Sequence, residues 1–532
     1  MGKSKKQTYT EFKNSKFIEF LKENKKMLIL CLIATLVWGL ITHSYGFLHS
    51  SFSHDSLNEF NANVFGNDWR IQLGRIFVPL YRFVVRDSIT LPWFIGVLSL
   101  IYISMTVFLT VKLFNVRSTI LTILISGIFT TNITVIATAS TYIHDLDCNM
   151  LALTLAVLSV YLWQKYDKGF LYGMIPLCLS IGIYQSFISV AITLIIIYLI
   201  MKLFDGEEFK KIFYQGFKSI VMIIGAGLLF FIAMKFICYI TGISIKSGNY
   251  NSIDTILSMP ILEIIHTTIA GYIRTCYKIL NVTSVYPSII FFAIHLMLIV
   301  ILGTIIIYRL SKKEIKIKEK ILTLILIILL PISMNIVYPL TGGISHDLME
   351  FGFWLIYLLA LLVSWWVVEH FNKMKPIIKY GQRFVSVCLI LIVLWSNVQT
   401  ANAVYLKKDL EQKANLSLFT RIVYRMEEQD GYITGKTPVV FVGRPDTLLD
   451  TIPGYERISS ITGCWNEFAL NSSSRDRYRS YFDYILLNPA IMAEQEKWDQ
   501  MQNDTRVNDM PSYPKEGSIA FVDDILVIKM GE

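Results

Sequence analysis

From residue 27 onward the sequence returns repeatedly to apolar runs of about 17 to 25 residues, the length at which a helix crosses a bilayer core of roughly 30 Å. Hydrocarbon offers no water to backbone N–H and C=O groups, so a continuous run of this kind must satisfy them internally, as a helix. The runs predict eleven spans, near 27–43, 91–111, 119–138, 149–163, 170–185, 187–204, 219–240, 285–308, 321–339, 348–368 and 384–400. With 54% hydrophobic and only 17% charged residues, the chain reads as a mainly α, polytopic membrane protein rather than a soluble enzyme.

The segment before the first run, "MGKSKKQTYTEFKNSKFIEFLKENKK", is basic, and no small-x-small cleavage site follows the run; a retained anchor is expected. With the N-terminus inside, every cytoplasmic segment carries Lys or Arg, whereas three of the five outer loops carry neither. The expected division is a cytoplasmic segment at 1–26, a transmembrane catalytic domain at 27–400, and an extracytoplasmic α/β domain at 401–532. That last segment holds 15 Lys and Arg against 20 Asp and Glu. The overall charge of +9 therefore belongs to the membrane part, where it sets orientation and contacts anionic lipid; it is not a nucleic-acid footprint. In the tail, strand-like "TPVVFVG" and "SIAFVDDILVIKM" alternate with helix-like "LKKDLEQKANLSLFTRIVYRMEEQ" and "SSRDRYRSYFDYILL". Seven cysteines lie scattered without CxxC spacing, as packing residues do.

The spans are almost free of charge, Lys235 and His295 being the exceptions, which argues against an ion-coupled carrier. Polar groups collect in the outer loops instead. His54-Asp55, His144-Asp145 and His346-Asp347 all fall on that side, and Asp147 follows the second pair. Asp347 leads directly into a span, so capping that helix explains it as well as function does. Arg75, Arg82 and Arg86, spaced by seven and four, would share a face of one amphipathic interfacial helix, although Pro79 can divide Arg75 from the other two. Contact with lipid phosphates alone would also account for such a row. Carboxylates beside arginines at a membrane surface suit sugar transfer from a lipid-linked phosphate. That reaction needs a base for the acceptor hydroxyl and cations for the departing phosphate.

At these residues the chain resembles a known family. The "HDSL…WRIQLGRIFVPLYR" loop, "TYIHDLD", "SIGIYQSFIS", "TPVVFVG" and "VDDILVIKM", in this order, look like the bacterial GtrII-type glucosyltransferase-domain proteins. The resemblance implies a GT-C-like membrane hexosyltransferase of the bacterial plasma membrane. By that resemblance it would move a hexose, glucose in the family's name, from a polyprenyl-phosphate donor to a cell-envelope polysaccharide on the extracytoplasmic side. In that superfamily a first-outer-loop acid is the base. Its place here is taken by Asp55, with Asp145 or Asp147 as supporting acid, and His54 stands where some relatives have a second adjacent acid.

Spacing leaves other points open. Asp145 and Asp147 point the same way only in an extended segment; in a helix His144 and Asp147 share a face. No cofactor is firmly implied, but His144, Asp145 and Asp147 are candidate ligands for a divalent cation, Mg or Mn. Gln185, at the turn between two spans, is a candidate for sugar hydroxyls or for satisfying helix ends. Arg274 and Lys278, at i and i+4 of a further interfacial helix, are candidates for phosphate binding or for anchoring. With Arg75, Arg82, His54, His144 and Asp347, these complete the substrate-binding candidates. The alternative function is a lipid-linked sugar or polysaccharide transporter or flippase, for which polarity should line a path through the membrane.

Overall fold

The computed structural model describes residues 16–49, 53, 57, 68–87, 90–245, 259–371, 374–443, 455–464 and 474–531. His54 and Asp55, and residues 1–15 of the basic segment, lie outside them. The protein is mainly helical. Each of the eleven expected runs overlaps a helix, although the run at 321–339 passes its helix end at Met334 and the run at 348–368 starts before its helix does at Leu355, and nine helices among the described residues are long and apolar enough to cross a membrane. The other two are Gly169–Ile183, of 15 residues, and Ile317–Met334, whose first turns carry Lys318, Glu319 and Lys320.

The first span, α1 (Lys16–Leu48), includes residues 16–26 of the basic segment. A short helix, α2 (Val78–Val85), follows in the first loop, with Pro79 in its first turn. The next span, α3 (Pro92–Leu113), leads to one that is interrupted. The run expected at 119–138 is divided at Asn132 into α4 (Thr119–Thr131) and α5 (Ile133–Thr141). Asn132 adopts an extended conformation, accepts from the N–H of Val135, and donates to the carbonyls of Ile128 and Phe129 at 2.9 and 3.0 Å. One side chain thus satisfies groups from both helices where an unpaired amide would cost several kcal/mol in lipid. The break redirects α5, so that Thr134 donates to the backbone carbonyl of Asp347 at 2.7 Å.

The bundle continues through α6 (Leu146–Lys165), α7 (Gly169–Ile183), α8 (Ile188–Phe204) and α9 (Phe209–Thr241). After α10 (Ile261–Leu280) come α11 (Ser288–Ser311), α12 (Ile317–Met334) and α13 (Leu355–His370). Helices α2 and α10 are built inside out for a soluble protein. On α2, Leu80, Phe83 and Val84 are exposed while Tyr81 and Arg82 are buried; on α10, Ile261, Ile265, Ile269 and Ile273 are exposed while Thr267, Gly271 and Thr275 are buried. Apolar surface outward and polar groups inward is the arrangement of an element flanked by lipid.

The last helix, α14 (Pro376–Glu427), is 52 residues long, or roughly 78 Å. It passes through the expected domain boundary at 400/401 without interruption. At its far end Phe419, Ile422 and Met426 form one stripe that packs into a second apolar core with Phe441, Tyr478, Phe482 and Trp498. This core covers a four-stranded sheet of order β2-β1-β4-β3: β1 (Pro438–Val442), β2 (Ile491–Met492), β3 (Ile519–Val522) and β4 (Ile525–Lys529). β1 pairs in parallel with β2 and β4, while β3 and β4 form a hairpin turning at Asp523, whose φ is +55°. The strand-like "SIAFVDDILVIKM" is therefore two strands. Leu57 of the first loop is buried in the same second core.

Candidate active site

Two clusters of charge meet at one end of the bundle. The first joins the loop after α1 to the start of α6. Ile143–Asp145 forms a single 3-10 turn and α6 begins at Leu146, so Asp145 precedes the helix and Asp147 lies in its first turn. The two carboxylates consequently diverge. Asp145 receives Arg82 Nη2 on Oδ1 at 2.8 Å, and Arg70 Nη2 and Arg75 Nη1 on Oδ2 at 2.9 and 3.6 Å. Asp147 receives Arg86 Nε at 2.8 Å and the Tyr81 hydroxyl at 3.0 Å on Oδ2, and the N–H of Cys148 at 2.9 Å on Oδ1. Arg86 also donates to the carbonyl of His144, and the His144 ring is 3.8 Å from Asp145 Oδ2.

Among the described residues, four guanidiniums thus gather around two carboxylates. Asp145, Asp147, Arg70 and Arg86 are almost wholly buried; Arg75 is the most open of the arginines, its side chain 19% exposed. Pro79 does separate Arg75 from the helix carrying Arg82, yet both reach the same carboxylate. The loop is seated by its backbone: Phe77 N–H bonds the carbonyl of Gly182 at 3.0 Å, and a Cβ at Gly182 would come within 2.3 Å of the Phe77 ring. Gln185 donates to the carbonyl of Leu73 at 3.1 Å and so steadies the same loop, while Tyr184 lies under Arg75, 4.8 Å from ring centroid to guanidinium carbon.

The second cluster joins α10 to the turn before α13. Lys278 Nζ lies 2.7 Å from Asp347 Oδ1 and also pairs with Glu350, which is buried. Arg274 Nη2 reaches Glu350 Oε1 at 3.4 Å, and the Ser345 hydroxyl donates to that oxygen at 2.8 Å. Burial alone would raise the Asp347 pKa, but Lys278 and donors from Thr462 overcome it and hold the carboxyl below its ordinary value. Asp347 spends its carboxylate on these partners rather than on capping the following helix. Between the clusters lies a cavity of about 50 Å³ lined by Arg75, Tyr142, Asn149, Tyr184, His346 and Met349. It has room for water.

Sequence reasoning passed over Arg70, Glu350 and Thr462. Arg70 lies five residues before Arg75, off the helical period of the arginine row, and Thr462 comes from the tail. Glu350 stands four residues after His346, beside the acid that drew attention. The divalent-cation reading of His144, Asp145 and Asp147 does not fit this donor set: the carboxylates diverge and are taken up by guanidiniums. Among the described residues no group of three or more His, Cys, Asp or Glu is placed to hold a metal ion.

Spans with lipid-facing apolar surface and a buried ionic cluster at one end define a multi-pass membrane protein with a polar site at the bundle's edge. The chain belongs to the glucosyl transferase GtrII family, whose model matches residues 44–364. That range contains both clusters, and membership makes the protein a glycosyltransferase of the glucosyltransferase kind. Neither curated proteins nor solved structures yield a match.

Proposed function

We propose that the protein transfers glucose from a polyprenyl-phosphate donor to a cell-envelope polysaccharide, on the extracytoplasmic side of the bacterial plasma membrane. The observation that carries this reading is the gathering of four guanidiniums around Asp145 and Asp147, just beneath the lipid-facing surface of α2. A lipid-linked phosphate would arrive there with its hydrocarbon still in the bilayer. Its charge would meet planar donors already oriented by Asp145 and Asp147.

In this reaction the acceptor hydroxyl oxygen forms a bond to C1 of the glucose, and the bond from C1 to the phosphate oxygen breaks. The hydroxyl proton passes to Asp55, and the electron pair of the broken bond leaves with the lipid phosphate. Arg75, the most open guanidinium, and Arg82 receive the growing phosphate charge, while Asp145 and Asp147 hold the arginines in place. His54, His144 and Arg274 remain candidates for binding either substrate, and Asp347 for binding sugar hydroxyls. Reconstitution of the purified chain with radiolabelled polyprenyl-phosphate glucose and envelope polysaccharide tests the reading: labelled polysaccharide is expected. Donor movement across the bilayer without product would favour a flippase instead.

A further inference from the structure

One partner of the site comes from the chain beyond the family match. Residues 455–464 form a helical turn, Tyr455–Ile458, and a short return ending at Cys464. Ile458, Ile461 and Cys464 are buried in the core of the membrane bundle, not in that of the sheet. Two buried lysines of α14 fasten this segment: Lys407 donates to the carbonyl of Cys464, and Lys408 to that of Gly463 at 3.2 Å. Arg457 reaches the carbonyl of Val285 at 2.9 Å. Gly463 has φ +83°, and a Cβ there would lie 2.0 Å from Thr141 Oγ1, so glycine is what permits the close approach. Next to it, Thr462 gives its N–H and its hydroxyl to Asp347 Oδ2, at 3.1 and 3.3 Å.

We propose that Thr462 is a positioning residue of the transfer site, and that residues 455–464 dock on the bundle in order to fix Asp347. Lys278 alone would hold one oxygen and leave the carboxylate free to turn about its last torsion. Two donors on the other oxygen fix its plane. Oδ2 is then fully used, and Oδ1, which accepts from Lys278 alone, keeps a further lone pair for a sugar hydroxyl. The docked segment therefore sets the direction in which Asp347 accepts. This role rests on the glucosyl-transfer reading, but the docking itself does not.

The test uses the full-length chain in proteoliposomes, with Thr462→Val, Thr462→Ser and Gly463→Ala, each checked for an unchanged unfolding temperature. Thr462→Val removes a donor to a charged group, so KM for one substrate should rise roughly tenfold with kcat little changed, and Thr462→Ser should restore it. Gly463→Ala should lift the segment, with the same rise in KM. Docking is read separately through Cys464, whose thiol burial pushes up to about 11, so that it should react slowly with a maleimide in the wild type. Mass spectrometry of that peptide should show faster labelling in Gly463→Ala. Faster labelling with unchanged KM would overturn the positioning role, and so would unchanged labelling together with unchanged KM. If the wild type transfers no glucose while labelling still quickens, the transfer reading falls and takes the positioning role with it. The docking of 455–464 would then stand alone.

Discussion

Arg82 and Asp145, 63 residues apart in the chain, meet at 2.8 Å in the buried end of the bundle, where Asp145 also holds Arg70 and Arg75. One carboxylate thus gathers three cations that would otherwise repel one another. Removing it should be felt by the whole first loop. Asp145→Asn removes the charge that gathers those guanidiniums, and breaking such a buried pair typically costs about 3–5 kcal/mol. Thermal unfolding in detergent should show a clear drop; an unchanged midpoint would mean that the loop is held in some other way.

Arg75 gives the opposite expectation. With a partly open side chain and a longer ion pair, Arg75→Lys should leave the unfolding midpoint nearly unchanged. Turnover should nevertheless fall, because an ammonium does not reproduce the planar fork of a guanidinium toward phosphate. Full activity in the lysine variant would move the phosphate site elsewhere, with Arg274 the next to examine.

Asp55 is the proposed base. Asp55→Asn should lower turnover by about 100- to 10,000-fold while donor binding persists. Turnover and donor affinity in matched preparations decide between residues. An active Asp55→Asn beside a folded but inactive Asp147→Asn would assign proton removal to the second loop.

Orientation can be checked with two single cysteines at exposed serines near opposite ends of the bundle. Ser460→Cys should react with a membrane-impermeant thiol reagent in intact cells, and Ser311→Cys should not. The reverse pattern would place the arginine cluster on the cytoplasmic face and remove the basis for an extracytoplasmic donor.

The second cluster predicts a pH response. The Asp347 carboxyl is held below its ordinary 3.8, so its stabilising contribution is complete above that value and lost as pH falls through the lowered one. For Lys278 burial opposes the charged form, but Asp347 and Glu350 outweigh it and raise the pKa above the ordinary 10.5, so that its contribution disappears only as pH rises through the raised value. The stability gap between wild type and Asp347→Asn should therefore stay level across neutral pH and close in acid. Unfolding midpoints measured from about pH 2 to 9 would test this, and a gap closing near neutrality would contradict it.

The membrane spans were legible because a bilayer imposes one length and one composition on every crossing helix. The interruption at Asn132 was not. It depends on a single amide bonding three backbone groups at once, which no window of average hydropathy registers. The acidic loops were legible as candidates, but not the pairing within them. Whether Asp145 and Asp147 converge is decided by one 3-10 turn, Ile143–Asp145, and spacing alone allowed either outcome. Arg70 was hidden because it meets its partner through tertiary folding rather than along a helix face. Thr462 was hidden because its importance lies wholly in a contact 115 residues away.

Helix α14 contains no proline or glycine after Gly381, so bundle and sheet are joined by a stiff rod instead of a linker. A rod has a phase as well as a length. Each residue advances it by about 1.5 Å and turns it by about 100°, so inserting even one alanine between the bundle and Lys407 would swing the sheet domain around the axis. The family match stops at residue 364, yet the sheet's register to the bundle depends on the residue count of this helix. Length along this helix is thus under a stricter constraint than the identity of its exposed side chains.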